Sequence, residues 1–115
     1  MSQGDQIYRV LQSISDFDHW VFINFAVKPR ILSALMVLKL SERAMTKTEI
    51  DAYLNSSNPD TSGPDFGRMC RKFSGESGSY VMAEEVDGKF ALTEEGHGCL
   101  DLIAEEFSKR IQEGA

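Results

Sequence analysis

The stretch that decides the fold is Val86-Asp87-Gly88-Lys89-Phe90-Ala91-Leu92-Thr93-Glu94-Glu95-Gly96. Asp87-Gly88 is a tight-turn signal between two short β-type runs, residues 80–84 and 89–92, and it predicts a hairpin. Directly after the hairpin, Thr93 is placed to cap a helix over residues 94–112. One face of that helix carries Leu100, Ile103, Phe107 and Ile111. The stretch therefore predicts a hairpin that leads directly into an amphipathic helix.

Composition places the chain among ordinary globular proteins. Its 115 residues are enough for one domain with a modest core, and 42% apolar with 26% charged residues is wrong for a disordered chain. The net charge of -6 does not favour nucleic-acid binding in general. Binding to DNA would therefore require the basic residues to gather on one face.

The sequence also indicates a cytoplasmic protein. We recognise no secretory signal, and the apolar run from Val21 to Leu40 is interrupted by Lys28-Pro29-Arg30, which argues against a membrane span. Cys70 and Cys99 lie far apart in sequence, which suits a reduced compartment better than a disulfide scaffold.

Two helical segments are predicted before Lys28. Residues 4–15 form an amphipathic helix because apolar side chains recur at helical spacing, and Asp16-Phe17-Asp18 should break or bend it. Residues 19–27 favour a strand by propensity, but their apolar side chains fall on both faces. We interpret them as helical because no partner strand is nearby. Pro29 suits the first turn of a buried helix over residues 30–41.

A helix pair follows. Thr46-Lys47-Thr48-Glu49 is a capping box that opens a helix over residues 46–55. A polar turn over residues 55–63 leads to a second helix over residues 64–73, where Ser62 is a candidate cap. Its apolar stripe consists of Phe66, Met69, Cys70 and Phe73. The glycine-rich residues 74–79 are expected to stop this helix.

Three helices, a two-stranded wing and a further helix follow one another. This order predicts an α+β fold, mostly α: a winged helix-turn-helix with an extra N-terminal helical segment and a long C-terminal helix. Within a single domain we distinguish residues 1–28 as a dimerisation segment, 29–93 as the winged-helix core and 94–112 as a dimerisation helix.

The candidate DNA-binding residues lie mainly on the second helix of the pair, which in this fold enters the major groove. Arg68, Arg71 and Lys72 should project together from its outward face, and with Asp65 they give residues 64–73 a charge of +2. Arginine can bind guanine edges or clamp phosphate. The alternative is that these are ordinary solvated side chains on an amphipathic helix.

Three further residues are candidates for phosphate contacts. Lys47 and Thr48 lie in the first turn of the preceding helix, although simple capping is the more economical explanation for Thr48. Lys89 is the cation of the wing, where Glu84, Glu85 and Asp87 outweigh it. An acidic wing suits the minor groove poorly. Either the wing touches DNA lightly, or the domain does not bind DNA with its wing.

The chain resembles winged-helix transcriptional regulators of the MarR or PadR general type. The resemblance rests on the "T-x-x-E-I" helix entry from Thr46, on helix 64–73, and on residues 87–96, which are similar to the "G-x-Y-x-L-T-x-x-G" pattern of those families. It covers residues 30–112 and implies a dimeric DNA-binding regulator that reads DNA with helix 64–73. The acidic wing and the long turn between the paired helices depart from the pattern.

Other chemistry is poorly represented. His97 and Cys99 are two residues apart in sequence. No second pair of His or Cys residues has metal-ligand spacing, and His19 has no such neighbour. Cys70 lies in an apolar stripe and should be an inert thiol, with a redox switch as the alternative. We find no catalytic triad or phosphate loop, and so expect no enzyme activity, cofactor or metal.

We therefore predict a sequence-specific regulator that binds double-stranded DNA as a homodimer, with no membrane association and no identified effector. The alternative is a winged-helix protein-interaction module in a transcription or replication assembly. Apolar residues at both ends of the chain should form the dimer interface: Ile7, Leu11, Ile14, Trp20, Phe22, Phe25, Leu100, Ile103, Phe107 and Ile111. The alternative to dimerisation is that the N-terminal segment folds back over the C-terminal helix.

Overall fold

The computed structural model describes residues 3–54 and 65–114. The fold is mostly α with small antiparallel sheets, as the sequence predicted. The elements are α1 (Gln3–Phe25), α2 (Pro29–Ser41), β1 (Met45–Thr46), α3 (Lys47–Leu54), α4 (Phe66–Met69), β2 (Lys72–Gly75), β3 (Gly78–Val81), β4 (Ala83–Val86), β5 (Lys89–Leu92) and α5 (Glu94–Gly114). The polar turn predicted over residues 55–63, with Ser62, lies outside the described residues.

Helix α1 runs for 23 residues without a break. The break expected at residues 16–18 is therefore wrong. The helical interpretation of residues 19–27 is confirmed for residues 19–25, whereas residues 26 and 27 lie beyond the end of the helix. The helical stripe continues through this region because Phe17, Val21 and Phe25 turn the same face inward, with Val21 and Phe25 almost completely buried. The helix ends at Ala26, whose φ of +59° turns the chain toward α2.

Two of the predicted helix starts have the expected chemistry. Pro29 lies in the first turn of α2, where the missing N–H costs no hydrogen bond. At α3, the Thr46 N–H donates to Glu49 Oε1 and the Glu49 N–H donates to Thr46 Oγ1, both at 3.2 Å. This reciprocal pair is the predicted capping box.

The predicted recognition helix over residues 64–73 is largely wrong. Helix α4 has four residues, Phe66–Met69, and residues 72–75 form strand β2. The prediction was wrong because Met69 and Phe73 are apolar side chains that are buried, and this fits a strand as well as a helical stripe. From Lys72 to Gly75, however, burial alternates as in a strand, with Phe73 inward between exposed neighbours.

Two hairpins replace the single hairpin that was predicted. Strands β4 and β5 pair from Ala83↔Leu92 to Val86↔Lys89, around the Asp87-Gly88 turn with φ angles of +53° and +78°. Strands β2 and β3 form the second hairpin, from Lys72↔Val81 to Gly75↔Gly78. The segment expected to be a stop, residues 74–79, is therefore a hairpin turn with its flanking strand residues.

The β2–β3 hairpin is fixed against the C-terminal end of α1. The N–H groups of Glu76 and Ser77 donate to the carbonyls of Ile23 and Asn24 at 2.9 and 3.0 Å. These carbonyls belong to the last turn of the helix, which has no intrahelical donor for them. The approach is so close that a Cβ on Gly75 would overlap the Asn24 carbonyl.

The core draws on nearly every element. Val21 and Phe25 come from α1, five residues from α2, and Cys99, Leu100 and Ile103 from α5. Phe25, Leu100 and Ile103 were expected at the dimer interface, and they are instead part of the core. Phe17 lies 5.0 Å from Phe107, ring centroid to centroid, so the middle of α1 folds against α5 within one chain.

No single helix in the described part of the chain is long and apolar enough to cross a membrane. Taken together, the segment from Gly4 to Phe25 and helix α2 pass that test by length and composition, with a bend of 83° between them.

The junction between hairpin and α5 provides a stability test. Thr93 Oγ1 accepts the Gly96 N–H at 3.0 Å, the cap predicted from the sequence, and Gly96 lies against the Met82 carbonyl. A Cβ at Gly96 would overlap that oxygen, so Gly96→Ala should lower the free energy of unfolding by about 1–3 kcal/mol. Urea denaturation measures the change.

Gly98 is the matched control, since it lies in the same helix with open space where a Cβ would be. There the better helix propensity of alanine should raise the free energy of unfolding by about 1 kcal/mol. Equal effects of Gly96→Ala and Gly98→Ala would contradict the close approach of α5 to Met82.

Candidate nucleic-acid interface

The pairing of β1 with β5 brings two of the predicted basic residues to one edge of the molecule. Thr46 pairs with Lys89, and Lys47 follows Thr46 directly as the first residue of α3. The side chains of Lys47, Thr48 and Lys89 are all exposed. We call these three residues the Lys47–Lys89 edge.

The start of α4 lies beside this edge. The Phe66 ring is 5.4 Å from the Phe90 ring on β5, and Lys47 Nζ is 5.9 Å from the Phe66 centroid. Asp65 caps α4 by accepting the Arg68 N–H at 3.1 Å through Oδ1. The N-terminal ends of α3 and α4 and the first residue of β5 therefore converge.

Glu49 binds the polar groups at the N-terminal end of α3. Its Oε2 is 2.8 Å from Arg43 Nη1, while Oε1 accepts the Thr46 N–H. The hydrogen bond from the Thr46 backbone, and next the one from Arg43, lower the pKa of Glu49 from its ordinary value. Glu49 thus stays ionised, and the capping box of α3 is formed by Thr46 and Glu49.

Arg68 does not project outward as predicted. Its guanidinium lies over the Phe73 ring, 4.1 Å from the centroid, and Nη1 donates to the Lys72 carbonyl at 3.2 Å. The side chain instead lines a cleft between the end of α1, the start of α2 and α4. We call it the α1–α4 cleft.

Arg71 and Lys72 are exposed, but they no longer share a helix face with Arg68. Arg71 follows the end of α4, and its Nη2 lies 3.8 Å from the position that a Cβ on Gly67 would occupy. Lys72 is the first residue of β2. The structure therefore separates the predicted site into the Lys47–Lys89 edge and a second group at the end of α4.

The β4–β5 hairpin is acidic along its exposed length. Glu84, Glu85 and Asp87 are exposed, and Val86 beside the turn is 63% exposed. Lys89 is the cation of this hairpin. An apolar side chain among carboxylates is a poor match for a phosphate backbone and a better one for a protein surface.

Sequence reasoning did not bring Lys28 and Arg30 together with Arg68. Both line the α1–α4 cleft with Arg68. The signal was present as Lys28-Pro29-Arg30, but it was used only as a helix start and as an interruption of the apolar run.

Neither cysteine has the environment of a reactive thiol. Burial, and next the charge of Glu95, raise the pKa of Cys99 to about 11. Burial, followed by Glu85 and Glu84, also raises the pKa of Cys70. His97 Nδ1 lies 3.0 Å from Lys39 Nζ. Within residues 3–54 and 65–114, no three His, Cys, Asp or Glu side chains cluster closely enough to hold a metal ion.

Comparisons of the chain with protein-family models, with curated proteins and with solved structures found no match. Its function is therefore inferred from the arrangement of its own residues.

The cysteine environment predicts slow alkylation. At pH 8 a rise in pKa from 9.0 to about 11 reduces the thiolate fraction of Cys99 about 100-fold relative to the unfolded chain. Iodoacetamide labelling with and without urea, read by peptide mass spectrometry, measures the two rates. The half-buried Cys70 is the internal comparison and should react faster than Cys99.

The same shift has a consequence for stability. The unfolded thiol loses its proton near pH 9, whereas the folded thiol keeps it up to pH about 11. Over that window the folded state holds more protons, so stability should fall as pH rises. Equal labelling rates for Cys99 in folded and unfolded protein would contradict this environment.

Proposed function

We propose that this chain is a winged helix-turn-helix protein that binds double-stranded DNA as a homodimer and regulates transcription. The observation that carries the proposal is the β1–β5 pairing, which joins the helix pair α3–α4 to the hairpin β4–β5. Helix α2, strand β1, helices α3 and α4 and a terminal hairpin follow one another as in a winged helix. Hairpin β2–β3 is then an insertion between the reading segment and the wing.

In this proposal the Lys47–Lys89 edge binds the phosphate backbone. Its lysines flank the N-terminus of α3, where backbone N–H groups also favour anions. Arg71 and Lys72 extend the surface past α4 and reach base edges. Arg68 holds the backbone that carries Arg71 and Lys72, because its hydrogen bond to the Lys72 carbonyl fixes the chain between α4 and β2.

A protein-interaction module is the second candidate, and the acidic hairpin favours it. Val86 is exposed beside Glu84, Glu85 and Asp87, an arrangement that would suit a basic, partly apolar protein surface. A partner captured by the wild-type protein after nuclease treatment, and lost with Val86→Asp, would support this candidate.

Binding to DNA is tested by fluorescence anisotropy on labelled genomic fragments over a range of salt concentrations. Lys47→Gln and Lys89→Gln should each weaken binding and reduce the slope of log K against log salt by about one, as expected for one lost phosphate contact. Lys109→Gln, an exposed lysine on α5, is the matched control and should leave the slope unchanged.

Base reading is tested by Arg71→Ala, which should cost about 1–3 kcal/mol on the preferred fragment and less on others. Wild-type binding no stronger to any genomic fragment than to random duplex would rule out sequence-specific regulation. If the wild-type protein binds DNA but Lys47→Gln and Lys109→Gln have the same salt slope, the DNA lies on another surface.

Dimerisation is supported by the first half of α1. Ile7, Val10, Leu11 and Ile14 form a stripe at i, i+3, i+4 and i+7, and each is at least 50% exposed. The stripe continues the buried face of the second half of the helix. Residues 3–15 hold one acid and one base, Asp5 and Arg9, so two copies can meet there without the repulsion expected from a net charge of -6.

The stripe predicts the effect of one substitution. Leu11→Asp should convert the dimer to a monomer at tens of micromolar protein, because a carboxylate would be buried in an apolar contact. Sedimentation equilibrium measures the mass. Leu40→Asp is the control, since Leu40 is 69% exposed on α2 and outside the stripe. A monomeric wild-type protein would remove the dimer from the proposal.

A further inference from the structure

Strand β4 lies at the outer edge of the three-stranded sheet. Strand β5 pairs with one side of β4, and no other strand of the described residues pairs with the opposite side. We call this opposite side the β4 edge. The strand consists of Ala83–Val86, and Glu84, Glu85 and Val86 are exposed. The main-chain N–H and C=O groups of an exposed edge are able to pair with an added strand.

The turn of the hairpin fixes the orientation of the last residue of β4. Asp87 and Gly88 form a two-residue loop with φ angles of +53° and +78°, both in the left-handed region. This loop closes an antiparallel pair in which the flanking residues, Val86 and Lys89, exchange hydrogen bonds. The N–H and C=O groups of Val86 therefore face β5.

The other end of the strand gives the same orientation. The Thr93 N–H donates to the Met82 carbonyl at 3.0 Å, so the Met82 carbonyl also faces the β5 side. Successive residues of a strand direct their main-chain groups to alternate sides. Since Met82, Glu84 and Val86 face β5, the N–H and C=O groups of Glu85 face the β4 edge.

The β4 edge is negatively charged. The hairpin carries three carboxylates, those of Glu84, Glu85 and Asp87, and one ammonium group, that of Lys89, and all four side chains are exposed. The ion pairs within the described residues involve none of these carboxylates. The residues that the structure does not describe contain no Lys or Arg that would neutralise them. The edge therefore keeps an excess of negative charge.

This charge decides which kind of chain the β4 edge accepts. A second copy would bring its own carboxylates to the pairing, and like charges on neighbouring strands destabilise it. A segment with Lys or Arg residues brings the opposite charge to Glu84 and Glu85. An apolar residue within that segment would pack on the exposed Val86 side chain.

We propose that the β4 edge binds an extended basic segment of a partner protein as an added β-strand. Hydrogen bonds to the main chain of Glu85 supply affinity, and Lys or Arg side chains beside the carboxylates supply selectivity. This binding mode rests on the protein-interaction candidate among the proposed functions, and it does not require the chain to bind DNA.

The probe is the peptide Thr-Lys-Val-Lys-Lys-Thr, capped at both ends and titrated into the isotope-labelled full chain by NMR. In antiparallel pairing its lysines lie opposite Asp87, Glu85 and Glu84, and its valine lies opposite Val86. The Glu85 amide signal should shift, and its hydrogen exchange should slow about tenfold because the N–H gains a partner. The Glu84 N–H, which already faces β5, should change less.

Two control peptides separate strand addition from simple charge attraction. Methylation of the backbone nitrogens keeps the charge but removes the main-chain donors and should weaken binding about tenfold or more. Replacement of the lysines by glutamates keeps the donors but reverses the charge and should abolish binding. Both controls use the wild-type protein, so they do not depend on the folding of a variant.

A matched pair of variants tests the main chain of Glu85. Glu85→Gln removes the carboxylate and keeps the N–H, and should weaken peptide binding about two- to fivefold. Glu85→Pro also removes the N–H that faces outward, a position where a strand tolerates proline, and should weaken binding about fivefold further. Glu105→Gln, at an exposed glutamate of α5, should leave binding unchanged. Circular dichroism checks that each variant is folded.

Any of three results would overturn strand addition at the β4 edge. The peptide could leave the Glu85 amide unchanged at roughly millimolar concentration, the methylated peptide could bind as well as the parent, or a folded Glu85→Pro could bind as tightly as Glu85→Gln. The titrations contain no DNA, so DNA binding is judged separately. A protein partner that is lost with Val86→Asp but retained by Glu85→Pro would keep the protein-interaction candidate and overturn this binding mode.

Discussion

The antiparallel pairing of two-residue strand β1 with β5 is the constraint on which the candidate interface depends. Thr46 pairs with Lys89 in the sheet and at the same time caps α3 through Glu49. One residue therefore sets both the position of the β4–β5 hairpin and the direction of α3. Phe90, on the same strand, receives Phe66 from α4, so the second helix of the pair is positioned by the same strand. This short pairing therefore sets the positions of three elements, α3, α4 and the β4–β5 hairpin.

A second attachment divides α1 into two halves with different roles. The β2–β3 turn donates hydrogen bonds to the carbonyls of Ile23 and Asn24, and Val21 and Phe25 fill the core. This half of the helix is held by the chain's own fold. The half that carries Ile7, Leu11 and Ile14 has no such cover within the described residues and keeps its apolar side chains in water. Since one continuous helix contains both halves, a partner bound at the exposed half would be connected directly to the core.

Features set by local chemistry could be predicted from the sequence. The capping box at Thr46, the Pro29 helix start, the Asp87-Gly88 turn and the Thr93 cap each depend on a few neighbouring residues. Strand β2 could not be recognised in the same way, because Met69 and Phe73 fit a helical stripe as well as an alternating strand. Its pairing with β3 decides between them, and pairing is a long-range property. The inward turn of Arg68 was missed because it depends on the ring of Phe73 lying in that strand.

The placement of charge follows the fold. Of the twelve Lys and Arg residues, Lys47 and Lys89 lie on the Lys47–Lys89 edge, Arg71 and Lys72 follow α4, and Lys28, Arg30 and Arg68 line the α1–α4 cleft. Three others, Lys39, Arg43 and Arg110, are in ion pairs with carboxylates. The segment from α4 to β2 contributes Arg68 to the cleft and Arg71 and Lys72 to the exposed surface, and the Arg68 hydrogen bond to the Lys72 carbonyl connects the two. Because the Arg68 guanidinium is held both by the Phe73 ring and by the Lys72 carbonyl, a change in the position of this side chain would reach the backbone that presents Lys72.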